Sequence, residues 1–232
     1  MKLIPLRVGI TNIYLVIEGD HILLVDTGLP GRKDEILRAI SSRGYRPDQV
    51  KLIFLTHSHI DHVGSAAQIR QATGARVVIH EADANYLEAG FMPVPKGTNP
   101  FFRFVSRLGN MPGVAGKFGS FEPLQADLTF HEKIQLHPFG FDATLIPTPG
   151  HTTGSSSLIS KAFALVGDTM INMRGQIYPD FANDEPVLHK TWASLTSLQV
   201  DWYYPSHGKR ISREKFLTAA RKVGIQKEKG GS

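Results

Sequence analysis

The sequence predicts an α/β protein, and three observations carry the prediction. Strand-type and helix-type segments alternate up to Gly90, the alternation returns after residue 125, and histidines and aspartates recur at the ends of strand-type runs. With 232 residues, 41% hydrophobic and 20% charged, the chain is long enough and ordinary enough in composition to build a sizeable core. We expect one domain over residues 1–232, with a lid-like insertion at about 91–125.

Taken in order, NIYLVIEG and HILLVDTG read as two strands of a hairpin around Gly19-Asp20. Pro30-Gly31 opens a helical stretch with Ile36, Leu37 and Ile40 on one face, closing near Gly44. KLIFLTH is a short buried strand. GSAAQIRQATG is a helix with Ser65 as N-cap and Gly74 as C-cap. ARVVIH and EADANYLEAG repeat the strand-then-helix order.

From 91 to 125 the pattern breaks. Five prolines and many glycines punctuate a segment holding six of the thirteen phenylalanines, Phe91, Phe101, Phe102, Phe104, Phe118 and Phe121. Its charged residues are Lys96, Arg103, Arg107 and Lys117 against Glu122 alone, a net of +3. Such a segment inside a compact domain reads as a lid or binding loop, or as a surface packed on a second copy in a homodimer. Strand signals return in DLTFHEKIQL, DATLIPTPG, SSSLIS and AFALVGD. EPVLHKTWASLTSL has helical spacing, DWYYPSHG is a last strand and REKFLTAARKVG a terminal helix.

The net charge of +5 points to an anionic partner until the charge is located. From Lys209 onward eight Lys/Arg face two Glu, a net of +6, so residues 1–208 sum to −1. The basicity belongs to the C-terminal segment, and nucleic acid is not the expected partner. With no cysteine, disulfides, thiolate ligands and a cysteine nucleophile are excluded, and any transition metal must be held by nitrogen and oxygen. The N-terminus lacks a signal-peptide pattern and no run is long enough to span a membrane, so a cytoplasmic location is expected.

Chemistry concentrates in THSHIDHVG. His57 and His59 sit two apart at the end of a buried strand, which aims both rings to one side; Asp61 and His62 follow at a turn where Gly64 supplies backbone latitude. Four donors this crowded suit two adjacent ions better than one. Three later strand ends offer more donors: LIPTPGHTTG gives His151, FALVGDT gives Asp168 and WYYPSHG gives His207.

THSHIDHVG followed by PGHTTGS, GDT and PSHG in that order resembles the metallo-β-lactamase superfamily of metal hydrolases, through most of the chain. The resemblance implies a four-layer αββα sandwich with a two-metal site at one edge of the sheets. By it, His57, His59 and His151 would hold the first ion, Asp61, His62 and His207 the second, and Asp168 would bridge them. Asp26 in LLVDTG matches an aspartate that supports the histidine loop. Of the remaining histidines, 21, 80, 131 and 137 read as structural, while His189 could face the pocket.

The implied cofactors are two divalent ions, Zn²⁺ first, with Fe²⁺ or Mn²⁺ accepting the same donors. Asp61 and Asp168 would be the catalytic carboxylates, and a hydroxide bridging the ions would be the nucleophile. The expected reaction is hydrolysis of an ester-like bond, a thioester or lactone, in a small molecule with an apolar part and an anionic head. Two alternatives of the same fold are a mononuclear iron persulfide dioxygenase and a phosphodiesterase or nuclease.

Overall fold

Successive side chains of a strand point to opposite faces, and in this chain both faces are apolar, so each sheet must be covered twice. A computed structural model describes residues 1–225. Its first sheet runs in the order β1 (Lys2–Val8), β2 (Thr11–Glu18), β3 (His21–Val25), β4 (Val50–Phe54), β5 (Arg76–His80) and β6 (Leu128–Phe130). The first three strands are antiparallel and β3 to β6 are parallel. Between them lie helices α1 (Lys33–Ser41), α2 (Ile60–Val63), α3 (Ala66–Thr73) and α4 (Glu81–Ala89), followed by α5 (Pro100–Gly109) and α6 (Ala115–Gly119).

The alternation sorts β3 residue by residue. Ile22 and Leu24 face out and pack with Ile36 and Ile40 of α1, Ile69 of α3 and Leu87 of α4 in one core. Leu23 and Val25 face in and join Leu52, Phe54 and Val78 against Leu145, Leu158 and Leu165 of the second sheet. That sheet follows chain order from β7 (Ile134–Gln135) through β8 (Thr144–Pro147), β9 (Ser156–Ile159), β10 (Phe163–Gly167) and β11 (Trp202–Pro205) to β12 (Ile211–Ser212). Its far face, Ala164 and Val166 among others, is covered by Leu188 and Trp192 of α7 (Glu185–Thr196) and Phe216 of α8 (Arg213–Lys222). Three cores therefore separate four layers, helices, sheet, sheet, helices, as expected. Each fully buried side chain of this size stabilises by roughly 1.5–3 kcal/mol.

Several local expectations need correction. Residues 2–8, interrupted by Pro5, form an edge strand, where a proline is tolerated because no outer neighbour needs its amide. DLTFHEKIQL is two strands in different sheets, β6 and β7, so the chain crosses from one sheet to the other at His131–Lys133. The 91–125 segment carries two helices. Asn99 starts α5 by accepting from the Phe102 amide at 3.0 Å, with Pro100 at the first helical position.

Ser65 stands at the N-cap position of α3 as expected, but its side chain does not bond the helix amides; its hydroxyl donates to the Leu29 carbonyl at 2.8 Å and accepts from the Arg32 amide, tying α3 to the loop before α1. Gly74 ends α3 in the left-handed region as expected, with φ +71°. Gly64 has an ordinary helical φ of −56°; it is glycine because a Cβ there would lie 2.3 Å from the Pro30 nitrogen. No helix among the described residues is long and apolar enough to cross a membrane. Lys227, Glu228 and Lys229 of the basic C-terminal segment lie outside the described residues.

Candidate metal centre

All the strand ends singled out in the sequence meet at one edge of the two sheets. β4 delivers His57, with His59 two residues on and Asp61 and His62 in the short helix α2. β8 delivers His151, β10 delivers Asp168 and β11 delivers His207. The donor atoms fall into three groups, each within 4.8 Å: His57, His59 and His151; Asp61, His62 and His207; and Asp168 with His57 and His62.

Four of the five imidazoles are held by the nitrogen facing away from the centre. His62 Nδ1 donates to Asp26 Oδ2 at 2.9 Å, His151 Nδ1 to the Phe181 carbonyl at 2.9 Å and His207 Nδ1 to the Ile10 carbonyl at 3.1 Å. His57 Nδ1 lies 3.1 Å from Thr56 Oγ1, whose own proton goes to Asp26. Because carbonyls and carboxylates only accept, these contacts commit each Nδ1 as a donor and aim each Nε2 inward, where it can ligate once it carries no proton. His59 is turned the other way, its Nδ1 2.9 Å from His151 Nε2.

Asp26 is the common anchor. Its backbone sits at φ +60°, a region asparagine and aspartate tolerate better than most, and its buried carboxylate accepts from the Thr56 amide (2.8 Å), Thr56 Oγ1, His62 Nδ1 and Ser206 Oγ (3.2 Å). The sequence expectation that it supports the histidine loop matches these contacts.

The charges are divided. Burial, reinforced by neighbouring imidazoles, holds His57 and His59 well below the ordinary histidine value, and burial lowers His151, so all three are neutral and able to ligate. Burial also presses on His62, but Asp61, Asp168 and Asp26 overcome it and raise it to about 10. His207 is raised by Asp168 and Asp61 in the same way. Burial works against ionising Asp61 and Asp168, yet the same histidines hold both carboxylates well below their usual range. The centre thus sets two anionic carboxylates beside His62 and His207, whose protonated forms they favour, with His57, His59 and His151 neutral; a bound cation would take the place of those protons.

The donor set fits divalent metal ions. His57 Nε2, His59 Nε2, His62 Nε2 and Asp168 Oδ1 are buried without a hydrogen-bond partner among the described residues, an expense of roughly 1–3 kcal/mol for each such group that a bound cation relieves. The absence of cysteine leaves nitrogen and oxygen ligands.

Above the centre lies a cavity of about 480 Å³ with apolar walls from Ile10, Phe102, Phe118, Ile171 and Phe181, and with Arg7 on its lining. His189 does not reach it; its Nε2 bonds Tyr178 Oη at 3.1 Å. His131 and His137 pair with Glu81 and Asp142 at the surface, and His80 caps α4.

Sequence reasoning missed Asp83. Its fully buried carboxylate accepts from the Ser58 amide (3.0 Å), Thr152 Oγ1 (3.0 Å) and the Gly154 amide (2.9 Å), and so ties the His57–His59 loop to the loop bearing His151. Burial raises its pKa despite these donors. In EADANYLEAG it looks like an ordinary acid in the first turn of a helix. Thr11, whose hydroxyl is 3.3 Å from Asp61 Oδ2, carried no signal either.

The comparison with known proteins agrees with this geometry. The profile of the metallo-beta-lactamase superfamily matches residues 6–207. The chain is 27% identical over 201 residues to the probable metallo-hydrolase YflN of Bacillus subtilis (strain 168), a match covering 82% of this chain and 72% of that one. It is 28% identical over 150 residues to a hydroxyacylglutathione hydrolase of Erwinia tasmaniensis, covering 65% of this chain but 43% of the relative. A solved metallo-beta-lactamase superfamily protein of Sulfolobus tokodaii shares the fold, with a TM-score of 0.68 at 19% identity over 99% of this chain and 89% of that one. With the profile spanning nearly every element that builds the centre, the chain belongs to the metallo-beta-lactamase superfamily.

Proposed function

We propose that the protein hydrolyses an ester-like bond, a thioester or lactone, with two divalent metal ions, Zn²⁺ being the ion its nitrogen-rich, thiolate-free donors suit best. His57, His59 and His151 would hold one ion and Asp61, His62 and His207 the other. The observation that carries the reading is the position of Asp168 between the two groups, with Oδ1 3.6 Å from His62 Nε2 and Oδ2 3.7 Å from His151 Nε2. When bound, such ions supply Lewis-acid activation of water and of a carbonyl oxygen.

The residues would do the rest. Asp26, Thr56 and the carbonyls of Ile10 and Phe181 orient the candidate ligand rings, and Asp61 and Asp168 would be the carboxylates to receive a proton from the attacking water. Phe102, Phe118 and Phe181 offer an apolar wall that excludes bulk water, and Arg7 offers a cation for an anionic head. The complete second ligand set speaks against a mononuclear iron dioxygenase.

Metal analysis of the purified protein, run beside hydrolysis of thioesters, lactones, phosphodiesters and β-lactams, tests this reading. Two ions per chain with thioester or lactone turnover is expected. One ion in fully active protein would overturn the dinuclear assignment, and preference for phosphodiesters would overturn the substrate assignment.

A further inference from the structure

Helix α5 turns small residues and the half-buried Phe102 and Val105 inward and leaves three large apolar side chains outward. The residues it buries are Ser106 and Gly109, and Gly109 packs so closely that a Cβ would lie 2.9 Å from Val94 Cγ2. Asn110 fastens the end of the helix by bonding the amide and carbonyl of Val94 at 2.9 and 2.8 Å. On the other side Phe101 is 67% exposed, Phe104 58% and Leu108 43%, a single stripe at helical spacing. Met111 just past α5 and Phe118 of α6 are 47% and 56% exposed. Leaving such residues in water forfeits the burial that stabilises every other helix, so this face needs a partner.

The charges indicate which partner. No acidic residue occurs between Phe91 and Phe121. Arg103 reaches Glu185 of α7 at 3.6 Å, but Arg107 and Lys117 have no acidic partner among the described residues. A second copy related by a two-fold axis would set this cationic face against itself. The five exposed side chains present about 500 Å² of apolar area, comparable to the apolar share of a standard protein interface, so the charge and not the area decides between a second copy and another partner. An anionic lipid surface satisfies both features at once: apolar side chains enter the acyl boundary while cations meet the headgroup phosphates.

We propose that α5, with Met111, Lys117 and Phe118, docks the protein on an anionic lipid surface. Phe101, Phe104 and Leu108 insert, and Arg107 and Lys117 pair with headgroups. Because Phe118 and the neighbouring Phe102 also line the cavity, an amphipathic molecule could pass from the lipid into the site without crossing water. The docking itself does not depend on the hydrolase reading.

Flotation with phosphatidylcholine vesicles, with and without phosphatidylglycerol, tests it on the full chain. The wild type should float with the anionic vesicles only, and less in high salt. Phe101→Ser with Phe104→Ser, which changes no charge, should weaken flotation at least ~10-fold. Arg107→Glu with Lys117→Glu should weaken it as well, while both double variants keep their melting temperature and their turnover of a short water-soluble ester. Three results would overturn the proposal: no flotation with anionic vesicles; undiminished flotation of the Phe101→Ser/Phe104→Ser protein, which would assign attachment to the basic segment after Lys209; or a dimer by light scattering that this variant abolishes, which would assign the face to a second copy.

Discussion

The metal edge and the 91–125 segment solve opposite problems with the same chain. At the edge, polar side chains are buried and the atoms facing away from the centre have prescribed neighbours, while four that face it have none among the described residues; Asp26 alone engages Thr56, His62 and Ser206. In α5 apolar side chains stand in solvent and the contacts that hold the helix are made by Ser106, Gly109 and Asn110. The first region is organised around what it will hold, the second around what it will touch. The difference teaches that a centre tolerates little change in its supports, whereas the outer face of α5 tolerates much.

The largest effect should follow Asp168→Ala. We expect hydrolysis to fall by more than the roughly 10–100-fold that losing a supporting residue costs, with metal content falling too. An active variant with two ions would remove Asp168 from the centre. Next comes Asp26→Ala, which strands the Thr56 amide and the His62 Nδ1 proton inside the protein. Metal affinity should weaken ~10–100-fold and stability by about 3–5 kcal/mol, measured by competition with a chelator and by denaturant unfolding. If the ring of His62 were positioned by packing alone, affinity would hold.

Asp83→Asn sharpens the comparison further, since an amide offers one acceptor oxygen where the carboxylate serves Ser58, Thr152 and Gly154. A loss of about 1–3 kcal/mol is expected, with weaker metal retention because His151 loses its brace. Unchanged melting would show that the two loops hold each other without it.

The smallest effect belongs to Asp127, the residue just before β6. Burial presses the Asp127 carboxyl upward, but the Val77 amide at 2.8 Å and the Arg70 guanidinium at 2.6 Å prevail and lower it. A lowered acid binds its proton less readily in the folded state, so its contribution is present above the unfolded value of about 3.9 and disappears as pH falls through the lower folded value. With Arg70 41% exposed, solvent screening limits this to about 1 kcal/mol or less. Melting temperatures of wild type and Asp127→Asn should therefore converge below about pH 4; a constant gap would mean the bond acts without its charge.

What was legible in the sequence follows from these differences. The seven candidate donors could be singled out because THSHIDHVG crowds four of them together and the order of the later motifs resembles one family. The α/β layering could be read from the alternation of strands and helices, and the apolar runs Ile22–Val25 of β3 and 163–166 of β10 require cover on both faces; the four-layer arrangement came from the family resemblance. Asp83 was not legible, since its partners lie 25 to 71 residues away and nothing local distinguishes it from a solvated helix acid. The carbonyls of Ile10 and Phe181 could not be read at all, because every residue has one. α5 was hidden by the surrounding prolines and glycines, although Asn99-Pro100 is a helix-start signal.

The reach of Asp26 also bears on the order of assembly. Its contact with Ser206 spans 180 residues, and the donors are shared between two sheets of which the second is completed only by β11 and β12. Contacts of such separation close late in folding. On this view the two sheets form first and the centre matures last, so a chain that has not finished folding has no place to keep an ion. Refolding in the presence of Co²⁺ should show its absorption band lagging behind the far-ultraviolet dichroism; a band that rises with the secondary structure would place ion capture at the beginning.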